Sequence, residues 1–172
     1  MSGAVTIGID PGLDGAIAYM QYGQLVNVVD MPTFTIKVAG KMRRVIDVER
    51  LRLVIQNVPY GTDAGDIVVI EQQSTRPGQS AQSGLKTGIG YGLIIGVVVG
   101  LGHPYRIVTP KQWKKPFGLT DVKAESVALA AELWPDAAES FYGPRGGGKD
   151  GRAEAALIAE YHARSNNETK AA

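Results

Sequence analysis

The stretch AVTIGIDPGLDGAIAYMQYGQLVNVVDM, residues 4–31, decides the fold. AVTIGID (4–10) is a short apolar run rich in β-branched residues, and it stops at PGLDG, a turn signal. AIAYMQ (16–21) and QLVNVVDM (24–31) repeat the strand pattern, and Tyr22-Gly23 between them fits a tight hairpin. The stretch therefore predicts a three-stranded antiparallel meander. Further on, DIVVIEQ (66–72) is a continuous apolar run, the signature of a strand buried on both faces. YRIVT (105–109) predicts one more strand.

Helices are expected between and after these strands. Asp47 is a natural N-cap for VERLRLVIQNV (48–58), with Leu51, Val54, Ile55 and Val58 on one side. STRPGQSAQS (74–83) is polar and leads into a long helix from about Ser80 to Leu101. Pro110 opens a short helix containing KQWKK, with Trp113 expected in the core. DVKAESVALAAELW (121–134) is amphipathic and is stopped by Pro135. A last helix runs from about Asp150 to Arg164. Residues 32–46 read as a loop or an irregular extension, 136–149 as a loop, and 165–172 as a flexible tail. The sum is a single α/β domain over 1–164, a mixed five-stranded sheet (meander plus parallel strands) flanked by helices.

Composition narrows the chemistry. The 172 residues suit one domain, and 44% hydrophobic with 20% charged residues is ordinary for a globular chain. There is no cysteine, which excludes disulfides, Cys-ligated zinc and thiolate catalysis. Two histidines leave no His-rich metal site. Any metal would be a hard, oxygen-liking ion such as Mg²⁺ or Mn²⁺. The first residues, MSGAVTIGID, carry no basic leader region. The most apolar stretch, GIGYGLIIGVVVGLG (88–102), is shorter than the about 20 residues a bilayer span needs. The chain is expected to be cytoplasmic, with no membrane partner.

The net charge is +1, so the cations matter only where they cluster: Lys41, Arg43, Arg44, Arg50 and Arg52; Lys111, Lys114 and Lys115; Arg145, Lys149 and Arg152. Each cluster taken alone reads as a solvated surface.

The acids are more pointed. Asp10 ends the first strand and Glu71 follows four consecutive aliphatic residues. An acid there is costly unless something pairs with it, and strand ends are where α/β sheets carry their sites. In GGKDGRAEAALIAEY (147–161), Asp150 and Glu154 stand at i and i+4, one helical turn apart on one side. Locally they also read as a helix cap and a first-turn acid, relieved by the helix dipole. If the two strands and this helix converge, four carboxylates meet at one point. Such a site requires divalent cations, and two Mg²⁺ held by carboxylates suit phosphodiester cleavage.

One more pattern stands out. Gly84, Gly88, Gly92, Gly96 and Gly100 recur every four residues, a slowly wrapping stripe without side chains on the long helix. It predicts close approach of another backbone, either the domain's own sheet or a second helix in a dimer.

In this order, IGIDPGLDGAIA, VVIEQQ, SGLKTGIGYGLIIGVVVGLG, YRIVTPKQWKK and DGRAEAALIAEY resemble the RuvC-type Holliday junction resolvases of the RNase H-like superfamily, over residues 4–163. The likeness is closest to the bacteriophage-encoded branch, in which DGRAEA closes the motif. The resemblance implies an RNase H-like fold, a homodimer with one site per subunit, and two Mg²⁺ or Mn²⁺ per site. It implies nicking of branched DNA (Holliday junctions, forks or flaps) with 5′-phosphate products. Asp10, Glu71, Asp150 and Glu154 match the catalytic, metal-binding acids. Arg76, Lys86, Lys111, Lys114, Lys115, Arg145, Lys149 and Arg152 are then candidate DNA contacts. Two departures stand out: bacterial relatives usually space the last-helix acids by three residues, and carry an aromatic residue where this chain has Ser74.

Two other readings remain. GIDPGLDG is similar to the phosphate-binding hairpin of actin-like and sugar-kinase ATPases, but those folds use two lobes and a longer chain. A non-catalytic DNA-binding protein is disfavoured, because four convergent carboxylates repel a phosphate backbone unless metal is present.

Overall fold

A computed structural model of the chain describes residues 4–57, 66–75 and 77–171. The opening stretch forms the expected meander: β1 (Val5–Asp10), β2 (Ala16–Gln21) and β3 (Gln24–Asp30) pair antiparallel in sequence order. Tyr22 and Gly23 have φ of 54° and 74°, the left-handed geometry of a two-residue hairpin turn.

Residues 32–46 are neither a loop nor an irregular extension. β4 (Thr33–Val38) and β5 (Lys41–Ile46) pair antiparallel as a two-stranded ribbon outside the main sheet, turned by Ala39 and Gly40 at φ 49° and 78°. Its two faces mix cations with apolar residues, so no single apolar stripe marks it as a strand pair in the sequence. α1 (Val48–Gln56) follows from its N-cap Asp47, whose carboxylate accepts from Arg50 N at 3.0 Å. Leu51 and Ile55 are buried as predicted; Val58 lies outside the described residues.

β6 (Ile67–Glu71), α2 (Ala81–Gly100), β7 (Tyr105–Val108), α3 (Pro110–Lys114), α4 (Lys123–Leu133) and α5 (Asp150–Ala171) complete the chain. β6 is parallel to β1, and β7 is parallel to β6, giving the order β3-β2-β1-β6-β7. This is the mixed five-stranded sheet the sequence predicted. α5 is longer than expected, continuing past Arg164 to Ala171. The supposed loop after Pro135 begins with a 3₁₀ segment to Phe141, whose ring is fully buried.

The sheet is covered on both faces. Val5, Ile7, Ile9, Val68 and Ile70 pack with Leu51 and Ile55 of α1 and Ile94 and Val98 of α2. On the other face Ala16, Ala18, Met20, Val69 and Val108 pack with α5, Trp113 and Phe141. α5 lies very close to the sheet: a Cβ on Gly8 would stand 2.1 Å from the carbonyl oxygen of Ala155. Hence the small residues Ala153, Ala155, Ala156 and Ala159, all buried, on a helix that is enclosed along most of this length.

The periodic glycines of α2 do not pack on the chain's own sheet. Among the described residues, a Cβ on Gly88, Gly92, Gly96 or Gly100 would meet nothing within 4 Å, and of the five only Gly84 has a neighbour, Thr75 Cγ2 at 3.2 Å. The face they share with exposed Leu85, Ile89 and Leu93 is open. The length argument against a membrane span also fails, since α2 has 20 residues and is apolar and long enough to cross a bilayer. Ile94 and Val98, however, are fully buried against the sheet.

Candidate active site

The strand register builds one row across the sheet. Asp10 pairs with Ala16, Ala16 with Asp30, and Glu71 with Val108. Ile9 is paired with Ile70, so Asp10 and Glu71 follow each other directly at the ends of adjacent parallel strands. Ala16 and Val108 belong to the core on the α5 side, and side chains opposite each other in a sheet share a face. Asp30, Asp10 and Glu71 therefore face the helix that carries Asp150 and Glu154.

Three glycines bring that helix in. Gly12 N donates to Asp10 Oδ1 at 3.3 Å, and Gly15 N donates to Gly12 O at 3.0 Å, closing the turn after β1. The first turn of α5 presses on this turn: a Cβ on Gly151 would stand 2.3 Å from Asp14 O. Asp150 and Glu154, on either side of Gly151, are thus carried to Asp10.

The electrostatics record the convergence. Burial, reinforced by the negative charges of Glu71, Glu154 and Asp150, pushes the Asp10 carboxyl up to about 7, against the lowering effect of the Gly12 N–H. Glu71 is buried, and its Oε2 accepts from Trp113 Nε1 at 2.6 Å. Trp113 is fully buried, as expected, but it also orients an acid.

The two helix acids each have a lysine. Lys114 Nζ lies 3.4 Å from Glu154 Oε1 and 3.5 Å from Asp121, and Lys123 forms an ion pair with Asp150. The bond to Asp150 and the neighbouring carboxylates hold the Lys123 ammonium above its ordinary range. Asp150 is therefore not simply a helix cap. Among the described residues, no three His, Asp or Glu side chains are drawn together tightly enough to ligate an ion as they stand.

Of the remaining candidate cations, Arg152 binds both oxygens of Asp30, at 2.6 and 3.0 Å, and Ser140 O at 3.1 Å, while Lys149 lies 3.4 Å from Asp30. The hydrogen bond from Arg152 holds the Asp30 carboxyl below its usual range. These two residues tie α5 to β3. Lys111 and Lys115 are exposed and, with Lys114, line an open groove of about 630 Å³ next to Trp113. Lys86 is exposed on α2 and Arg145 is exposed before α5. Ser74 is exposed just after β6, and Arg76 lies outside the described residues.

Sequence reasoning missed Asp30, Lys123 and Asp14. Asp30 had a signal, since it ends a strand just before Met31-Pro32, much as Asp10 ends one before Pro11. Asp14 forms an ion pair with Arg44 of β5, which only the fold discloses.

The sequence matches no protein-family model and no curated protein. Solved structures do match. A Thermus thermophilus RuvC in complex with a Holliday junction substrate aligns with a TM-score of 0.58 at 18% identity, covering 96% of each chain. A second T. thermophilus RuvC structure gives 0.54 at 18% identity, covering 94% of this chain and 96% of that one. The yeast mitochondrial Holliday junction resolvase Ydc2 gives 0.52 at 14% identity, covering 98% and 81%. The chain has the fold of the RuvC-type resolvases.

Proposed function

We propose that the chain is a divalent-metal-dependent endonuclease that nicks Holliday junctions and other branched DNA, leaving 5′-phosphates. The observation that carries this reading is the convergence of Glu71, Glu154 and Asp150 on the half-buried Asp10. It occurs at the ends of the parallel strands, in a fold shared with resolvases, one of them bound to a Holliday junction.

The donor set fits Mg²⁺ or Mn²⁺. It consists of carboxylate oxygens alone, and the raised Asp10 carboxyl marks a site short of positive charge. Asp10, Glu71, Glu154 and Asp150 would hold the metal, two ions per site. When bound, the ions supply the Lewis acidity and positive charge that in-line phosphodiester hydrolysis requires. The chain's own groups do the placing. Trp113 fixes the orientation of Glu71, and the Gly12 N–H fixes Asp10. Lys114 and Lys123 form ion pairs with Glu154 and Asp150. Lys111 and Lys115, exposed beside the site, offer their charges to the phosphates of the strand being cut.

The same reading includes a homodimer, encoded by a bacteriophage and active in the host cytoplasm. α2 supports the dimer: Leu85 and Ile89 are more than half exposed beside the bare glycines, a surface suited to a second copy.

The test is cleavage of labelled four-way, three-way and flapped DNA by the purified protein with Mn²⁺ or Mg²⁺. Nicking is expected, and Asp10→Asn and Glu71→Gln abolish it. Intact substrates overturn the nuclease reading. Tight binding without nicking would indicate a non-catalytic junction binder, and ATP hydrolysis without nicking a kinase-like lobe.

A further inference from the structure

We propose that the β4–β5 ribbon is a second DNA-contacting element, one that seats in a groove of a duplex arm beside the cleavage site. The proposal rests on the nuclease reading and names a surface that reading does not require.

The ribbon carries four cations, of which Arg44 is paired with Asp14. Residues 31–46 contain Lys37, Lys41, Arg43 and Arg44 and no acid. Among the described residues, no carboxylate pairs with Lys37, Lys41 or Arg43. By contrast, Lys114, Lys149 and Arg152 are already engaged with acids.

The register places these charges on both faces. Thr35 pairs with Arg44 and Lys37 with Met42, while Ile36 pairs with Arg43 and Val38 with Lys41. Paired residues share a face, and successive pairs alternate. Lys37 and Arg44 thus project from one side and Lys41 and Arg43 from the other. A flat electrostatic patch has no use for cations on its reverse. A ribbon between two walls of phosphate does, and the major groove of duplex DNA admits a two-stranded β-ribbon. Strands of six residues extend about 20 Å, long enough to pass several phosphates. The same uncompensated charge disfavours an identical ribbon of a second copy as the occupant.

Its root is fixed to the site. Met31 N donates to Gly15 O and Asp47 N donates to Pro32 O, both at 2.9 Å, so the chain is held where it enters and leaves the ribbon. Arg44 pairs with Asp14, in the turn that follows Asp10 and packs on Gly151. An arm gripped by the ribbon is thereby held in a defined relation to the four acids.

The test uses the full chain with Lys37→Gln, Lys41→Gln and Arg43→Gln combined, and a Lys37→Arg/Lys41→Arg companion. On a four-way junction at about 150 mM salt, the neutralised variant is expected to bind about tenfold more weakly, and its log–log salt slope to flatten by about one per cation removed. Cleavage at saturating protein should be unchanged, and the arginine variant should bind like wild type. Shortening the arms should weaken wild type to the level of the neutralised variant and leave that variant unaffected. Equal binding by wild type and the neutralised variant at every arm length overturns the proposal. So does a loss shared by the arginine variant, or a loss that accompanies dissociation of the protein's oligomer. A wild type that neither binds nor cuts branched DNA overturns the nuclease reading itself, an outcome distinct from an indifferent ribbon.

Discussion

Trp113 Nε1 donates to Glu71 Oε2 at 2.6 Å, with both side chains buried. The bond joins α3 to the end of β6. Thr109 and Gln112 cap α3 reciprocally, and Pro110 starts it, so the indole is held from its own backbone outward. One Glu71 oxygen is thus fixed in direction.

Trp113→Phe keeps most of the ring volume and removes the donor. A buried carboxylate oxygen left without its partner should lower stability by about 1–3 kcal/mol. Groups that orient metal-binding carboxylates typically matter by about 10–100-fold in metal affinity or activity. Single-turnover cleavage at several Mn²⁺ concentrations should show such a loss while junction binding holds. Lower stability with unchanged cleavage would make Trp113 a core residue and nothing more.

Asp10 gives a pH prediction. Its carboxyl stands at about 7 in the folded chain against 3.8 for an unperturbed group. The folded state therefore holds this proton more tightly than the unfolded state, and stability from this group falls as pH rises from about 4 to about 7. In chelator-treated protein, Asp10→Asn should be more stable than wild type at pH 8, by up to about 4 kcal/mol, and equal to it below pH 4. Adding Mn²⁺ should raise the wild-type melting temperature and leave the variant's unmoved. Urea melts at the two pH values decide it: a variant no more stable at pH 8 would mean that the acids do not crowd Asp10.

Asp30 shares the sheet row with Asp10 and clamps Arg152 and Lys149 at the start of α5. Because Asp30 is half exposed, the clamp is worth only about 1 kcal/mol in stability. Its larger effect is positional, since Arg152 lies between Asp150 and Glu154. Asp30→Asn should require about three- to tenfold more Mn²⁺ for half-maximal cleavage and recover at saturation. An unchanged metal titration would confine Asp30 to a surface ion pair.

The sequence singled out the four acids by context: Asp10 and Glu71 end apolar strands, and Asp150 and Glu154 stand one turn apart on one side of the alanine-rich start of α5. What it could not show depends on register and on long-range approach. Asp30 joins the row only through the pairing of β3 with β2, and Lys123 meets Asp150 only once α4 docks beside α5. The glycines give the sharpest contrast. The periodic set on α2 drew notice, yet the backbone contacts that assemble the site belong to Gly8, Gly15 and Gly151, which follow no period. Gly15 is as constrained as the others: a Cβ there would lie 2.1 Å from Asp10 O. Periodicity reports how one element presents a face, and these three glycines mark where separate elements touch.

The exposed glycines of α2 allow the dimer to be tested without disturbing the fold. Among the described residues, a Cβ on Gly92 meets nothing within 4 Å, so a leucine there has room beside them. Replacing a mid-helix glycine also improves helix propensity by up to about 1 kcal/mol. Gly92→Leu should therefore melt no lower than wild type when both are monomeric. Between two copies of α2 the same leucine would hold the backbones apart. Sedimentation equilibrium should show a wild-type dimer and a variant shifted to monomer, with the two nicks of a four-way junction no longer made together. A variant that remains dimeric at low concentration would place the interface on another surface and leave this stripe without a partner.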